Sequence, residues 1–424
     1  MVGTLVPAFF GLLVLGLPIF AALALAVTLI LYFAGGIDPL VVPMRMFSGM
    51  NNFSLMSIPF FVLAAELMRI GGLSDRLIDV ARALIGWLPG GLAAATVVAC
   101  LMFGSISGSS PATVVAIGTI MYPAMVKAGY DRFFSIGLVT TAGTLGPIVP
   151  PSIALIIYGS VTGTSVGKLF AAGLLPALVI GGLLIGYACW YSARKGYPRD
   201  PFPTLERIVT AFKRAAWGLG LPVILLGGIY TGVFTPTESA ATACIYGWFI
   251  GAIVYRTISV RETLVILRNT GLLAGPLLLI TAGASAFSWL LATTGAPSQL
   301  ASQILSGTDN PVLIVALFNL ILLVAGCFLD SASAIIILGP LMQPIAQQVG
   351  VDPIHFGIIM LVNLSVGMLT PPVGLNLFVA MGVAKMTLFE VFRAALPTIL
   401  LMMVALLIVS YIPVLSMLLP NILY

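Results

Sequence analysis

The segment GSISGSSPATVVAIG (104–118) carries four serine hydroxyls, on Ser105, Ser107, Ser109 and Ser110, among glycines and Pro111, with flanks that are almost entirely hydrocarbon. A second segment of similar character, FLDSASAIIILGPL (328–341), offers Asp330 and Ser331. Each reads as the start of a helix, where free amides and the positive end of the dipole suit an anion such as a carboxylate. Ser109, Ser110, Asp330 and Ser331 are therefore candidate substrate ligands. Ser and Asp at such positions also serve as plain N-caps. Asp330, an anion, is expected to meet a cation or to accept from a substrate hydroxyl or amine.

After each serine segment comes a run interrupted by glycine and proline: TTAGTLGPIVPPSIALIIYG (140–159) and LSVGMLTPPVGLNLFVA (364–380). Proline removes a donor and blocks the carbonyl four residues back, so carbonyls near Gly146–Pro151 and Gly367–Pro372 lose their helical partners. A hard cation such as sodium suits a cage of such oxygens and nearby hydroxyls. Two sodium sites are predicted. The first takes Ser105 and Ser107 with the carbonyls of Gly146, Val149 and Pro151; the second takes Gly326, Gly367, Thr370 and Pro372, with Val373 adjacent. Ser152 and Asn376, which follow the two proline pairs, are candidates for hydrogen bonds to substrate. Prolines that only kink packed helices are the alternative.

These residues sit in a chain of 424 residues that is 60% hydrophobic and 7% charged, with mean hydropathy +1.17. That composition marks a polytopic, all-α membrane protein of one membrane domain. The apolar spans read as 5–34 (a retained first helix), 51–68, 133–160, 170–192, 217–232, 236–255, 264–292, 354–384 and 391–418. Two pairs, 92–127 and 312–349, are too long for one crossing and are broken in the middle, which predicts re-entrant hairpins. With a cytoplasmic N-terminus, only Arg45 and Lys168 of the 18 Lys and Arg fall outside, and the C-terminus is external. The net charge of +5 follows the membrane rather than a nucleic acid. The basic stretch 193–216 reads as an amphipathic cytoplasmic arm.

At the one displacement that carries Ser110 to Ser331, Gly118 meets Gly339, Pro123 meets Pro344, Gly146 meets Gly367, Pro150–Pro151 meet Pro371–Pro372, and Pro176 meets Pro397. The matches fall on helix breakers, where a shared backbone shape demands them. Residues 51–192 and 264–418 are read as repeats of opposite orientation, each with a hairpin and a discontinuous helix (133–160 and 354–384), the sequence sign of a secondary transporter. A channel lacks its pore ring, and an intramembrane enzyme lacks a catalytic constellation. Cys100, Cys189, Cys244 and Cys327 are widely spaced in apolar runs and read as small buried hydrophobes. Glu238 reads as a helix cap, Glu66 as an i,i+3 partner of Arg69, and His355 as having no partner of ligand type.

Together the motifs IPFFVLAAELM, GSISGSSPATVVAIG, GTLGPIVPPS, GVFTPTESAA, FLDSASAIIILGPL and MLTPPVGLNLFV resemble the large membrane subunit (DctM-like) of tripartite ATP-independent periplasmic (TRAP) transporters, over essentially the whole chain. The resemblance implies an elevator-type carrier in the bacterial inner membrane, driven by sodium, for an organic acid such as a C4-dicarboxylate, sialic acid or another sugar or keto acid. It further implies a separate small four-helix membrane subunit and a periplasmic substrate-binding protein. The residues alone fit equally a stand-alone sodium/dicarboxylate symporter that uses no binding protein.

Overall fold

A computed structural model describes residues 2–34, 37–295, 299, 302 and 310–424, and every regular element among them is helical. The apolar run 5–34 is two helices, α1 (Val2–Val14) and α2 (Ile19–Ala34), rather than the single first helix expected. Gly16 takes a left-handed φ of 85°, and the Gly16 and Leu17 amides donate to the carbonyls of Leu13 and Leu12 at 2.9 and 3.2 Å. That closes α1 as helix ends commonly close, with Pro18 barring continuation. Next come α3 (Val41–Met50), a 3₁₀ turn (Phe53–Met56), α4 (Ser57–Ile70) and α5 (Leu73–Ile85), the last two bent by 75° at Gly71–Gly72.

The first serine segment is the tip between α6 (Gly91–Ser107) and α7 (Ser110–Lys127). Its broken helix lies in three pieces, α8 (Arg132–Ala142), α9 (Leu145–Ile148) and α10 (Ile153–Thr162), with a bend of 42° before α10. The chain continues through α11 (Val166–Lys195), α12 (Leu205–Tyr230), α13 (Pro236–Phe249, ending in a π turn) and α14 (Val260–Thr293). The second set is α15 (Pro311–Phe328), α16 (Ser331–Gln348), α17 (Pro353–Gly367) and α18 (Leu375–Ala384), followed by α19 (Leu388–Tyr411) and α20 (Val414–Leu423). Both Pro150–Pro151 and Pro371–Pro372 bonds are cis. Among the described residues, α11, α12, α14, α15 and α19 are long and apolar enough to cross a membrane, and the bent pairs raise the number from 5 to 7.

Helix starts follow their caps. Asp131 and Asp352 accept from the amides of Phe134 and Ile354 at 2.9 and 2.7 Å. Thr235–Glu238, Ser259–Glu262 and Thr387–Glu390 form capping boxes, each satisfying amides that the helix leaves free. Glu238 is thus a cap, its carboxylate accepting from the Thr235 amide at 2.8 Å.

The displacement that carries Ser110 to Ser331 also carries both ends of α7 onto those of α16, and the start of α8 onto that of α17. Packing is reciprocal: α7 lies on α18 while α16 lies on α10, and α8 lies on α19 while α11 lies on α17. A second group, α2, α3, α4 and α13 with α14, packs mainly among itself.

The arm expected over 193–216 is not one element. α11 ends at Gly196, and from Leu205 the amphipathic segment runs without a break into the apolar part of α12. The connection is pinned where Arg82 donates to both Asp200 carboxylate oxygens at 2.6 and 2.9 Å and Arg207 adds a bond of 3.2 Å. The Arg82 hydrogen bonds hold the Asp200 carboxyl below the usual carboxylate range. A depressed folded-state pKa contributes stability above the unfolded pKa and loses it as pH falls. Asp200→Asn is therefore expected to cost less than about 1 kcal/mol at pH 7, and the difference in thermal unfolding between the two proteins should begin to shrink at about pH 4 and vanish only below the depressed folded-state pKa.

Candidate functional site

The turn between α6 and α7 is made by Gly108, left-handed at φ 56°, and Ser109, extended at φ −134°. In that turn the Ser107 hydroxyl lies 2.9 Å from the Thr113 hydroxyl, which also donates to the Ser109 carbonyl at 2.8 Å. A Cβ on Gly146 would stand 2.6 Å from the Thr113 hydroxyl and 2.7 Å from the Ser109 carbonyl oxygen; one on Gly108 would stand 3.0 Å from the Pro151 carbonyl oxygen. Oxygens of Ser107, Ser109, Thr113 and Pro151 therefore gather where the hairpin tip meets the broken helix. Thr113 is missing from the sequence-derived set, and its only signal is the i,i+4 spacing from Ser109. Ser105 is not in this group, since its hydroxyl donates to the Met102 carbonyl of its own helix at 2.7 Å. The Val149 amide donates to the Leu145 carbonyl at 2.9 Å, ending α9.

In the second set, Gly326 and Gly367 pack backbone to backbone, a Cβ on Gly326 standing 2.9 Å from the Gly367 Cα. The Thr370 hydroxyl donates to the Val366 carbonyl at 3.2 Å, and the amides of Val373 and Gly374 both donate to the Cys327 carbonyl at 3.2 Å. Residues 141–152 are wholly buried, whereas Thr370 is half-buried and Pro372 and Val373 are exposed. The second unwound stretch is the more open of the two.

The four tip residues come together. Ser109, Ser110, Asp330 and Ser331 line one cavity of about 560 Å³, with Ser107 beside them. Asn376 adjoins it, donating to the Ser110 hydroxyl at 2.5 Å from the other half of the chain, and its own carbonyl oxygen is buried without a partner among the described residues. Ser152 does not reach the cavity; it is buried and caps α10, accepting from the Leu155 amide at 3.3 Å. Asp330 caps α16, accepting from the amides of Ala332 and Ser333 at 3.0 and 3.2 Å and from the Ser333 hydroxyl. The Ser331 hydroxyl donates to the Met368 sulfur at 3.1 Å.

The far wall comes from α4 and α14, with Leu273 and Leu277 and, unforeseen at this place, the Glu66–Arg69 pair. Arg69 holds Glu66 through two bonds, of 2.8 and 3.2 Å. The pair itself was expected from its spacing. Its position on the cavity wall is set by the packing of α4.

Across 6–415 the chain matches the family model described as tripartite ATP-independent periplasmic transporter, DctM component. It is 41% identical to the C4-dicarboxylate TRAP transporter large permease protein DctM of Rhodobacter capsulatus, covering 98% of each chain. This chain belongs to the DctM family of TRAP transporters. It is also 36% identical to the sialic acid TRAP transporter large permease protein SiaM of Vibrio cholerae, over 97% of this chain and 96% of that protein. The crystal structure of the Alcanivorax borkumensis YdaH transporter shares the fold, with a TM-score of 0.61 at 15% identity over 86% of both chains. Family membership makes the chain a transporter permease and not an enzyme, a multi-pass membrane subunit of a tripartite system.

The fold brings the His355 ring nitrogens to the Ser416 hydroxyl at 2.6 Å and the Ser410 carbonyl at 3.3 Å. Of the cysteines, Cys100 and Cys244 are buried while Cys189 and Cys327 are half-buried, and all are free.

The close glycine contacts carry a stability test. Gly367→Ala places a methyl group against the Gly326 backbone and is expected to cost about 1–3 kcal/mol, as overpacking does. Gly382→Ala, in α18 with nothing within 4 Å, is expected to be neutral or to gain up to about 1 kcal/mol. Thermal unfolding of the purified proteins in detergent checks both.

Proposed function

We propose that this DctM-family subunit is the carrier of a sodium-coupled organic-acid uptake system, binding the acid between the two hairpin tips. The observation that carries this reading is the shared cavity: Ser107–Ser110 and Asp330–Ser331, far apart in sequence, line one space of about 560 Å³, within the range of small-ligand sites. Substrates in the names of relatives, C4-dicarboxylate and sialic acid, are acids of a size for such a space. Membership of the tripartite family supports a separate small four-helix membrane subunit and a periplasmic binding protein as partners.

The two sets of helices are inverted repeats with re-entrant hairpins. Their support is the recurrence of helix ends, the reciprocal packing, and the basic residues, which keep to one face only when α6–α7 and α15–α16 enter and leave by the same side. With α1 and α2 together taken as the first crossing, the N-terminus is cytoplasmic and the C-terminus periplasmic, in the inner membrane. The interlocked hairpins and broken helices of the two repeats form the moving body of an elevator, and α3, α4, α13 and α14 belong to the fixed scaffold.

Sodium binds as co-transported cargo. One ion lies at Ser107 with the carbonyls near Gly146 and Pro151, the other at Thr370 with those near Gly367. Coupling requires that sodium favour the state competent for the acid, since a ligand with equal affinity for both states shifts nothing.

The test is uptake into proteoliposomes holding this chain and its small subunit, with a panel of labelled acids, with and without an inward sodium gradient and a candidate binding protein. Uptake that needs both is the expected result; uptake with sodium alone moves the protein to the stand-alone symporters. Ser107→Ala and Thr370→Ala are each expected to raise the sodium concentration for half-maximal uptake about tenfold, equal to about 1.4 kcal/mol. Unchanged sodium dependence in both removes these residues from the ion sites.

A further inference from the structure

A second cavity, of about 460 Å³, lies apart from the hairpin tips, and among the described residues no charged one lines it. Its polar walls include Ser48 and Asn51 around the end of α3, Ser160 of α10, and Thr281, Ser285 and Ser288 of α14. The Ser160 hydroxyl is buried without a hydrogen-bond partner among the described residues. So many hydroxyl and amide groups are unusual in a wall made by helices of this hydropathy; the Thr281 hydroxyl donates to the Leu277 carbonyl at 2.8 Å, while that of Ser160 needs a polar partner.

Two helices, α10 and α14, line both cavities, and the turn that leads into α4 lines the polar one while α4 itself lines the other. On α10 the tip cavity touches Ile153 and Ala154 and the polar one Ser160 and Val161, about 9 Å further along at the helical rise. On α14 the order is Leu273 and Leu277, then Thr281 to Ser288; toward α4 it reverses, with Val62 to Arg69 at the tip cavity and Asn51 to Leu55 at the polar one. The polar cavity therefore lies further along the same two helices than the tip cavity. On the charge pattern it faces the external side, the side of Arg45.

Arg45 stands one turn from Ser48 and Gly49 on α3. Its guanidinium carbon lies 5.1 Å from the centre of the Trp289 ring, itself one turn from Ser285. Gly49 meets Ser285 where α3 and α14 touch, so the Arg45–Trp289 stack closes the seam at the cavity's edge. Among the described residues no carboxylate pairs with Arg45. Stacking on an aromatic face leaves the guanidinium's in-plane N–H donors available for a carboxylate.

We infer that Arg45 and the polar cavity form a capture site for a hydroxylated carboxylate, occupied before the acid reaches the hairpin tips. The carboxylate takes the Arg45 fork, and substrate hydroxyls take Ser160, Ser285 and Ser288. The inference rests on the organic-acid reading above. An Arg–Trp pair that only anchors α3 at the membrane interface is the competing role.

Uptake kinetics are measured in the same proteoliposomes, with binding protein supplied outside, using labelled malate, succinate and gluconate and variants that keep the parent melting temperature. Arg45→Gln is expected to raise KM about tenfold for each acid carried, with Vmax retained, and Arg45→Lys to restore most of the affinity. The double variant Ser285→Ala with Ser288→Ala is expected to raise KM for malate and gluconate but not for succinate, which has no hydroxyl. An unchanged KM in Arg45→Gln overturns the capture site. So does a loss of Vmax common to Arg45→Gln and Arg45→Lys at unchanged KM, the mark of an anchor. If the parent complex carries none of these three and no other acid of the wider panel, sialic acid included, the carrier reading fails first and the capture site with it.

Discussion

A backbone amide or carbonyl without a partner cannot be left in hydrocarbon, and the rest of this structure depends on how that constraint is met at two broken helices. Residues 149–152 and 368–374 lie between helical pieces, where the ladder supplies only some of the partners. In the second break the hairpin supplies others, and in the first it packs closely against the break. The Cys327 carbonyl, near the end of α15, accepts from the amides of both Val373 and Gly374, and Gly146 lies against the Ser109 carbonyl at the other tip. Such closeness needs glycine on both sides, which explains Gly104 against Gly146 and Gly326 against Gly367. Each hairpin and its broken helix are one unit, since neither is satisfied alone.

The two units are then locked to each other. α7 packs on α18 and α16 on α10, so each half completes the other, and Asn376 reaches across to Ser110 at the cavity itself. A shift of one tip is transmitted to both, as expected of a packed core that is bistable rather than continuously deformable. The wall formed by α4 and α14 is tied to α2, α3 and α13, so the cavity lies between two bodies. That division is the physical support for an elevator.

Much of this was legible in the residues because helix breakers are rare and costly within apolar runs. The hairpin tips, both interruptions and the i,i+3 partner of Glu66 follow from local chemistry. What escaped depended on tertiary packing or on averaging. Gly16 and Pro18 are too few to lower the hydropathy of 5–34, so two helices looked like one. Four serines of equal chemistry at one tip offered no way to separate Ser107, which meets Thr113, from Ser105, which bonds its own helix. Ser152 looked the same as a ligand or as a cap. Thr113 resembled any threonine in a helix, and the partners of His355 lie 55 and 61 residues away.

The charges of the tip cavity bear on why an acid and a cation should travel together. Glu66 and Asp330 face one guanidinium, that of Arg69. Asp330 opposes an entering carboxylate less than its sequence position implies, because two amides and the Ser333 hydroxyl of its own helix already donate to it. Arg69, held through two bonds by Glu66, has little charge left to offer. An acid in this space must therefore either draw Arg69 from Glu66 or bring its own positive charge. The oxygens gathered at Ser107, Thr113 and Pro151 lie beside the tip, where in the proposed cycle a sodium ion supplies that charge without breaking the pair. In the proposed cycle the coupling would be electrostatic before it is conformational: sodium would lower the cost of the anion in a space of low dielectric, and the filled tips would then favour the moving state.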